Sequence, residues 1–513
     1  MNLVFQPTLP AMSPGLDAAA LVTRRVRPAD PSLRPAFVAM GEAASRVDQL
    51  FEPGTLCVTT GQQPGLLTGP LFTIYKALTA VALARRLERT AGRPVVPVFW
   101  VGGDDHDFAE ANHLYVPTLS NEVERVVLRE RKAEAPSLPL YREALGREID
   151  DVTRAVVGHT ADSEFRAEVL AWLARYYQSD RDMASAFAGA IAELLGPYGL
   201  VVFVPTDAAA KRAMSPLLLD ALARTEELDR ALALRATVLE QQGSPVPVGV
   251  GDGAAGVMIE GALGRDRLLL DGDRFVARRS GQAWSLEDLR ALATADPERF
   301  SPNVLLRPVV EAALLPTVVY VAGPGELRYL PQCAPLYDGL AVTPQVPVPR
   351  WSGHVVEGRI AKVLDKYGIA VGDLAGPDGQ LEASLVRDDM PGEAVEAITR
   401  LREAIGVEYD RIRAAAERVD PTLQKTVRSA EHSALGGVAD VEKRIVAHLK
   451  KQNAIVGQQI AKARHNLYPL GRPQERVFNV VPYLIRYGSA FLDAALEAVE
   501  TSLRLPASEQ EGS

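Results

Sequence analysis

Continuous apolar runs alternate with segments of helical periodicity through the first two thirds of this chain. Residues 56–60 and 95–101 are short runs with few polar positions, which is typical of parallel strands covered on both faces. Between them, apolar residues recur at helical spacing over 71–90, and Gly92 supplies a stop signal. A strand, a helix and a strand in this order predict a βαβ unit. A helical lead-in is expected before it, at residues 1–50.

Two further apolar runs, at residues 200–204 and 318–322, each follow a helical segment. Strands that alternate with helices predict an α/β fold with a doubly wound parallel sheet. The gaps between these strands are too long for simple crossovers, so residues 120–180 and 215–300 are expected to be insertions. The core of the chain is therefore placed at residues 51–350.

Charge and helical periodicity dominate the chain after residue 350. Spacings of three and four residues, typical of a coiled-coil seam, separate Ile398, Leu401, Ile405, Tyr409 and Ile412. Pro421 and Gly436–Gly437 interrupt this pattern, and a second helix is expected from Val438 to His465. Two long helices joined by a turn predict an antiparallel hairpin, with a helical cap folded on the sheet as the alternative. We assign residues 351–475 to this arm and residues 476–513 to a C-terminal helix that returns to the core.

Composition narrows the class of protein. Hydrophobic residues make up 47% and charged residues 24% of the chain, as in globular proteins. The net charge of −9 gives no concentrated basic surface for a nucleic acid. Neither a run of about 18 apolar residues nor a secretion signal is present, so a cytoplasmic protein without a membrane partner is expected. Cys57 and Cys333 are too few for a disulfide framework or a four-thiolate zinc site, and we expect both to be reduced and buried.

A glycine-rich turn, TGQQPGLLTGP, follows the first predicted strand at residues 60–70. It matches neither the Walker A motif nor Gly-x-Gly-x-x-Gly. Exposed backbone N–H groups and the N-terminus of the next helix would favour an anion such as phosphate or carboxylate. The residues assigned to this site are Gln62, Gln63, Gly65, Thr68 and Gly69. The alternative is an ordinary turn with exposed glutamines, and Lys76 in the following helix is expected to face outward.

A dense cluster of acidic residues and histidines follows the second strand, at residues 104–113. Such a cluster has no hydrophobic face, and its carboxylates repel one another unless something offsets the repulsion. One interpretation is acid–base catalysis in which a carboxylate orients the imidazole, with the candidates Asp105, His106 and Asp107. A second is a divalent metal ion held by Asp104, His106 and His113, although no familiar zinc spacing is present. A capped, solvated loop is the third.

Two later loops border the same predicted edge of the sheet. Residues 301–308 precede a helix, and residues 322–329 follow the last predicted strand, where α/β folds bind ligands. The planar guanidinium of an arginine suits carboxylate or phosphate oxygens, and a glutamate could hold an amine or a hydroxyl group. The residues assigned to ligand binding here are Asn303, Arg307, Gly323, Gly325 and Glu326.

At these positions the chain resembles the cysteine-adding enzymes of bacillithiol biosynthesis, over essentially its full length. The resemblance rests on five separated blocks in the same order, at residues 61–76, 105–108, 301–308, 323–326 and 474–476. It implies a Rossmann-like core similar to class I aminoacyl-tRNA synthetases, with connecting-peptide insertions and a coiled-coil arm that forms a homodimer. The implied activity is a ligase that joins cysteine to the amine of glucosaminyl malate through an amide bond, in the last step of the pathway.

Amide formation from a carboxylate needs prior activation, for which we expect ATP, bound by the helix after Gly69 and by Arg307. We hypothesise that Gln62, Gln63 and Thr68 position the activated cysteine. The amine-bearing substrate is then served by Asp105, His106 and Asp107, and no metal ion is assigned. Two other classes stay open, a metal-dependent hydrolase and a non-catalytic coiled-coil assembly protein.

Overall fold

The computed structural model describes residues 3–8, 18–24, 26–132, 134–377, 379–388, 390–452 and 454–503. These residues divide into two units. The first unit comprises residues 3–355 together with those from 474 onwards, and the second comprises residues 356–473. The boundaries fall close to the ends of the arm expected at residues 351–475.

The strands are β1 (Leu3–Pro7), β2 (Phe37–Val38), β3 (Leu56–Gln62), β4 (Val95–Val101), β5 (His113–Pro117), β6 (Val123–Val127), β7 (Val201–Phe203), β8 (Ala254–Gly261), β9 (Gly264–Asp271), β10 (Arg274–Ala277), β11 (Ala283–Ser285), β12 (Phe300–Pro302), β13 (Thr317–Ala322), β14 (Val346–Pro349) and β15 (Gly353–Glu357).

The helices are α1 (Ala18–Val22), α2 (Leu71–Ala91), α3 (Phe108–Ala111), α4 (Glu148–Gly158), α5 (Arg166–Tyr176), α6 (Met183–Leu195), α7 (Ala208–Ala223), α8 (Thr225–Gln241), α9 (Leu286–Ala295), α10 (Arg307–Leu314), α11 (Pro324–Tyr329), α12 (Ala334–Gly339), α13 (Gly358–Tyr367), α14 (Gln380–Asp388), α15 (Gly392–Val419), α16 (Gln424–Gln452), α17 (Ala454–Leu467), α18 (Val481–Tyr487) and α19 (Ala490–Ser502).

A six-stranded sheet forms the centre of the first unit, in the order β14-β13-β3-β4-β7-β2. Neighbouring strands of this sheet are parallel, except that β2 pairs antiparallel with β7. Successive side chains of a strand point to opposite faces, and β4 follows this rule. Phe99 and Val101 enter one apolar core, whereas Val98 and Trp100 enter the other. The predicted doubly wound parallel sheet is therefore confirmed.

A second sheet of five antiparallel strands has the order β11-β10-β9-β8-β12. Strands β8 to β11 lie in the insertion expected at residues 215–300, and β12 follows directly. This strand leads into α10 through residues 303–306. The inserted sheet thus delivers one of the predicted ligand-binding loops.

In the second unit, α15 and α16 pack as an antiparallel pair. Ion pairs join Arg402 to Glu442 and Arg413 to Glu431 across them. Helix α16 runs through Gly436–Gly437, so the break predicted there is wrong. Glycine costs only about 1 kcal/mol in a helix, which packing along a helix of 29 residues offsets. Asn453, placed in the second predicted helix, lies outside the described residues.

The remaining expectations concern the termini and the cysteines. The helical lead-in proves to contain β1, β2 and one five-residue helix, with 3₁₀ turns over residues 31–36, 41–46 and 48–51. Residues 504–513 of the expected C-terminal helix lie outside the described residues. Cys57 and Cys333 are both free and buried, as predicted. Within the described ranges, no helix has the length and apolar character needed to span a membrane.

Candidate functional site

A cavity of about 380 Å³ lies beyond the carboxyl ends of β3, β4 and β13. Parallel strands place these ends at one edge of the sheet, which is where α/β folds bind ligands. The volume falls at the lower end of the range of about 300–1,000 Å³ for small-molecule sites. The wall is completed by residues 302–304 and Arg307, which follow the inserted sheet.

The structure brings most of the predicted site residues to this cavity. Those that line it are Gln62, Gln63, Asp105, Asn303, Arg307, Gly323, Gly325 and Glu326. Those outside its lining are Gly65, Thr68, Gly69, His106 and Asp107. The cavity is therefore built by the ends of strands and by parts of α2, α10 and α11, and only the first part of the glycine-rich turn reaches it.

The later part of the glycine-rich turn is bound by the protein itself. The side-chain amide of Asn479 donates to the carbonyl oxygens of Leu67 and Gly69, each at 2.8 Å. The N–H of Thr68 donates to the hydroxyl of Tyr177, and the N–H of Leu71 at the start of α2 donates to a backbone carbonyl, both at 2.8 Å. Donors that were expected to hold an anion are thus already occupied, because the turn is packed into the core.

Lys76 is buried rather than facing outward, so that prediction is wrong. Helix α2 is covered on nearly every side, and the side chain of Lys76 is only 1% exposed. Its Nζ donates to the carbonyl oxygen of Gly61 at 2.5 Å and to Oε2 of Glu326 at 2.6 Å. The N–H of Gly323 and the hydroxyl of Tyr320 also donate to Glu326. Burial would raise the pKa of Glu326, but Lys76 and these hydrogen bonds lower it, so the carboxylate stays ionised.

Arg307 lines the cavity and is held by the side chains around it. Its Nη1 donates to Oε2 of Glu311 at 2.6 Å, and its guanidinium carbon lies 5.0 Å from the centre of the Tyr320 ring. Its Nη2 has almost no accessible surface and makes no hydrogen bond of normal geometry with the described residues, while the side chain of Tyr329 also interacts with the guanidinium. The arginine side chain as a whole is 19% exposed, so part of it can meet an anion in the cavity.

Asn303 shapes the turn that precedes Arg307. Its Oδ1 accepts hydrogen bonds from the N–H groups of Leu305 and Leu306, at 3.0 and 2.9 Å. The carbonyl oxygen of Asn303 accepts the N–H of Arg307 at 2.9 Å. Asn303 therefore sets the start of α10, in the manner of a helix-capping residue.

Gln63 and Asp105 form a second polar pair in the lining. Nε2 of Gln63 donates to Oδ2 of Asp105 at 2.5 Å, while Oδ1 accepts the N–H groups of His106 and Asp107. Burial would raise the pKa of Asp105, but the hydrogen bond from Gln63 and the charge of Arg265 lower it. Because an ionised carboxylate can only accept hydrogen bonds, the NH₂ group of Gln63 faces Asp105, and Oε1 of Gln63 points away from it.

The ring of His106 is engaged by Arg265, which was not among the predicted residues. Its Nδ1 lies 3.4 Å from Nη1 of Arg265. Because arginine can only donate, Nδ1 acts as the acceptor and the ring proton resides on Nε2. Burial and then the charge of Arg265 lower the pKa of His106, so the imidazole is neutral near pH 7. Arg265 also donates to Oγ of Ser301 and to the carbonyl oxygen of Pro302, which ties the His106 loop to β12.

Lys211 is a second buried cation that was not predicted. Its side chain is fully buried, and Nζ donates to Oδ1 of Asp104 at 2.6 Å and to the carbonyl oxygen of Phe300 at 2.8 Å. The imidazole of His113 contacts the carbonyl oxygen of Ala109 instead. Across the described ranges, no group of three or more His, Cys, Asp or Glu side chains is arranged to hold a metal ion. Asp104, His106 and His113 are therefore not brought together as three ligands of one site.

Two arginines complete the basic side of the cavity. Arg350 forms a two-pronged ion pair with Glu475, at 2.9 and 2.5 Å, and its side chain is only 3% exposed. It also donates to the carbonyl oxygen of Trp351 and to Oγ of Ser352. Arg476 lines the same cavity and is exposed. This wall suits an anionic ligand.

Comparison with known proteins gives two family matches that together cover most of the chain. Residues 34–351 match the family described as "Bacillithiol biosynthesis BshC, N-terminal Rossmann-like domain", and residues 353–503 match "Bacillithiol biosynthesis BshC, C-terminal coiled-coil domain". These matches confirm the predicted combination of a Rossmann-like core and a coiled-coil region.

Curated relatives agree with these matches. A protein of Salinibacter ruber named "Putative cysteine ligase BshC" is 34% identical over 470 residues, covering 89% of this chain and 83% of the relative. Relatives with the same name are 31% identical in Heliobacterium modesticaldum, covering 89% and 83%, and 33% identical in Symbiobacterium thermophilum, covering 86% and 81%. The resemblance seen in the sequence is confirmed.

Proposed function

Because the chain belongs to the BshC family of bacillithiol biosynthesis, we propose that it joins the carboxylate of cysteine to the amine of glucosaminyl malate. In this last step of the pathway one amide C–N bond forms and one C–O bond of the cysteine carboxylate breaks; that oxygen departs on the phosphate or AMP derived from ATP, and the amine nitrogen releases its protons to solvent. Since a carboxylate is a poor acylating group, we propose ATP as the co-substrate that converts it into an activated acyl group.

The guanidinium of Arg307 at the wall of the cavity is the observation that carries this proposal. A guanidinium suits a carboxylate or phosphate oxygen, and the exposed Arg476 adds positive charge nearby, whereas the charge of Arg350 is already paired with Glu475. Donors of this kind fit the anionic groups of both substrates and of ATP. We propose that Arg307 holds the reacting carboxylate or the group attached to it, while Gln63 contacts the cysteine.

The two carboxylates of the lining suit the amine. Asp105 and Glu326 both have lowered pKa values and stay ionised, so each can accept a hydrogen bond from an ammonium or amine group. We propose that Asp105 orients the amine of glucosaminyl malate. His106 can accept a proton at Nδ1 only after the contact between that atom and Nη1 of Arg265 is broken. Proton transfer to His106 therefore requires movement of Arg265 or of the imidazole ring.

The direct test combines the purified protein with cysteine, glucosaminyl malate and ATP, and measures the amide product by mass spectrometry together with AMP and ADP. Product and stoichiometric nucleotide cleavage are expected. Arg307→Lys keeps the charge but loses the planar donor pair, and should lower kcat/KM by about 100-fold. Arg230→Lys, at an exposed ion pair, is the matched control. Absence of product with every nucleotide tested would refute the proposal.

We also propose that the α15–α16 pair forms a homodimer. Large apolar side chains on these two helices are about half exposed or more, namely Leu401, Val407, Ile412, Val419 and Val441. Light scattering should give twice the monomer mass of 55.3 kDa. Leu401→Glu together with Ile412→Glu should give the monomer mass, and a wild-type monomer would refute the proposal.

A further inference from the structure

The part that Arg307 plays depends on how its guanidinium is held. We propose that Glu311 is a positioning residue, which fixes the guanidinium of Arg307 at the wall of the cavity where the substrate binds. The identity of that substrate rests on the proposed function above. The placement of the guanidinium does not, and it can be measured separately.

Glu311 is fully buried behind Arg307, on the same face of α10 and one turn further along. One carboxylate oxygen, Oε2, accepts Nη1 of Arg307, and the other, Oε1, accepts the hydroxyl of Thr59. Thr59 is itself buried in β3 and also lies 3.5 Å from the carbonyl oxygen of Val319. The carboxylate therefore links the guanidinium to the two central strands β3 and β13.

Burying a carboxylate is expensive, and a buried ion pair is often no more stable than apolar side chains of similar volume. Replacing Arg307 and Glu311 together by apolar residues would avoid this cost. Replacing Glu311 alone would leave the guanidinium without its counterion and Nη1 of Arg307 without an acceptor. The arrangement is thus better explained by the orientation of Arg307 than by stability.

The ring of Tyr320 supports one face of the Arg307 guanidinium, and its centre lies 5.0 Å away. This contact restrains the plane of the guanidinium but leaves rotation within that plane free. The hydrogen bond to Glu311 removes that rotation, because a planar fork held at one nitrogen has its other nitrogen directed. Glu311 and Tyr320, together with the side chain of Tyr329, hold the guanidinium in place.

The test compares Glu311→Gln with Glu311→Leu. The glutamine retains an acceptor for Nη1 of Arg307 and a polar partner for Thr59, so it should keep kcat/KM within about threefold of wild type. The leucine loses the acceptor and should lower kcat/KM by about 100-fold, the scale of a 1 Å misplacement of a reacting group. If both variants lose activity equally, or the leucine variant keeps it, the positioning role is wrong.

A second measurement needs no substrate. Phenylglyoxal modifies accessible arginines, and peptide mass spectrometry gives the rate at Arg307 relative to Arg230, whose side chain is 75% exposed and lies outside the cavity lining. Glu311→Leu should raise the relative rate at Arg307 several-fold, and Glu311→Gln should leave it unchanged. An unchanged rate in the leucine variant would overturn the proposal. A raised rate in a protein that never forms the amide would instead refute the proposed function alone.

Thr59→Val provides the result if Glu311→Leu does not fold. It removes the hydroxyl that holds Oε1 of Glu311 but keeps the shape of a β-branched side chain in β3. The relative modification rate at Arg307 should rise, by less than in Glu311→Leu. If the rate does not rise in this variant, the role assigned to the hydrogen bonds from Thr59 to Glu311 and from Glu311 to Arg307 is wrong.

Discussion

The ion pair between Arg350 and Glu475 allows a quantitative test of how the first unit is held together. Both side chains are nearly inaccessible, at 3% and 5% exposure, and two hydrogen bonds join them. Glu475 receives a further hydrogen bond from the N–H of Gly353. Replacing Arg350 by Met leaves the Glu475 carboxylate buried with that N–H group but without its counterion.

The expected cost follows from this loss. Removing one partner of a buried ion pair destabilises a protein by about 3–5 kcal/mol, because the remaining charge is unpaired. Glu475→Gln leaves Arg350 in the same condition, with only the acceptors on Trp351 and Ser352. The double variant Arg350→Met/Glu475→Gln has no unpaired charge. Its loss of unfolding free energy should therefore be about 2–3 kcal/mol smaller than the sum of the losses in the two single variants.

Tryptophan fluorescence in urea is a suitable assay. The tryptophans are Trp100, Trp172, Trp284 and Trp351, and all lie in the first unit, so the signal reports on that unit. Arg230→Met, which breaks a pair that is 75% and 77% exposed, is the control and should cost less than about 1 kcal/mol. Additive single effects, or a loss below 1 kcal/mol for Arg350→Met, would refute the reasoning.

Three further predictions use the same titration. Gly61→Ala places a methyl group 2.8 Å from the carbonyl oxygen of Trp100 and should lower the free energy of unfolding by about 1–3 kcal/mol. Gly158→Ala, whose methyl group meets open space, should cause no such loss. Equal losses in the two variants would contradict this explanation. Lys211→Met removes the buried ion-pair partner of Asp104 and should cost about 3–5 kcal/mol, whereas a loss below about 1 kcal/mol would contradict the stabilising role of this pair. Burial and then the charge of Arg265 lower the pKa of His106 below its ordinary value of 6.5. The unfolded chain therefore binds this proton at a higher pH than the folded chain, and the free energy of unfolding falls as the pH drops through 6.5. His106→Asn should show a smaller fall between about pH 7.5 and about pH 5.5, and an equal fall would contradict this effect of His106.

The central strands could be predicted because their sequences are almost wholly apolar. In β3 and β4, both faces are covered, so burial follows from composition without knowledge of the neighbours. The position of the cavity also follows, since parallel strands end at one edge. Which backbone donors remain available at that edge does not follow. The N–H of Thr68 in the glycine-rich turn, for example, donates to the hydroxyl of Tyr177, which is 109 residues away in the sequence.

The buried cations show the same limit. Lys76 lies in a helix with apolar residues on more than one face, so the periodicity of this helix does not tell whether the side chain is buried. The ion pair that compensates its burial is formed with Glu326, about 250 residues away. Arg265 alternates with buried residues in β9 and looks like part of an exposed strand face. Only its contacts with Ser301, Pro302 and His106 give it a place beside the cavity. Charges of this kind are defined by tertiary partners, which local periodicity cannot report.

The strand order of the central sheet has a consequence during synthesis. Strand β3 lies between β4 and β13, but Gln62 and Thr317 are about 255 positions apart. Val101 at the end of β4 is 216 positions before Thr317, so at a translation rate of about 5–20 residues per second one edge of β3 has no partner for roughly 11–43 s after β4 has emerged. An apolar strand with an open edge can pair with other chains. Ribosome-bound fragments that end before β13 are therefore expected to engage chaperones or aggregate, and fragments that include it to be protected.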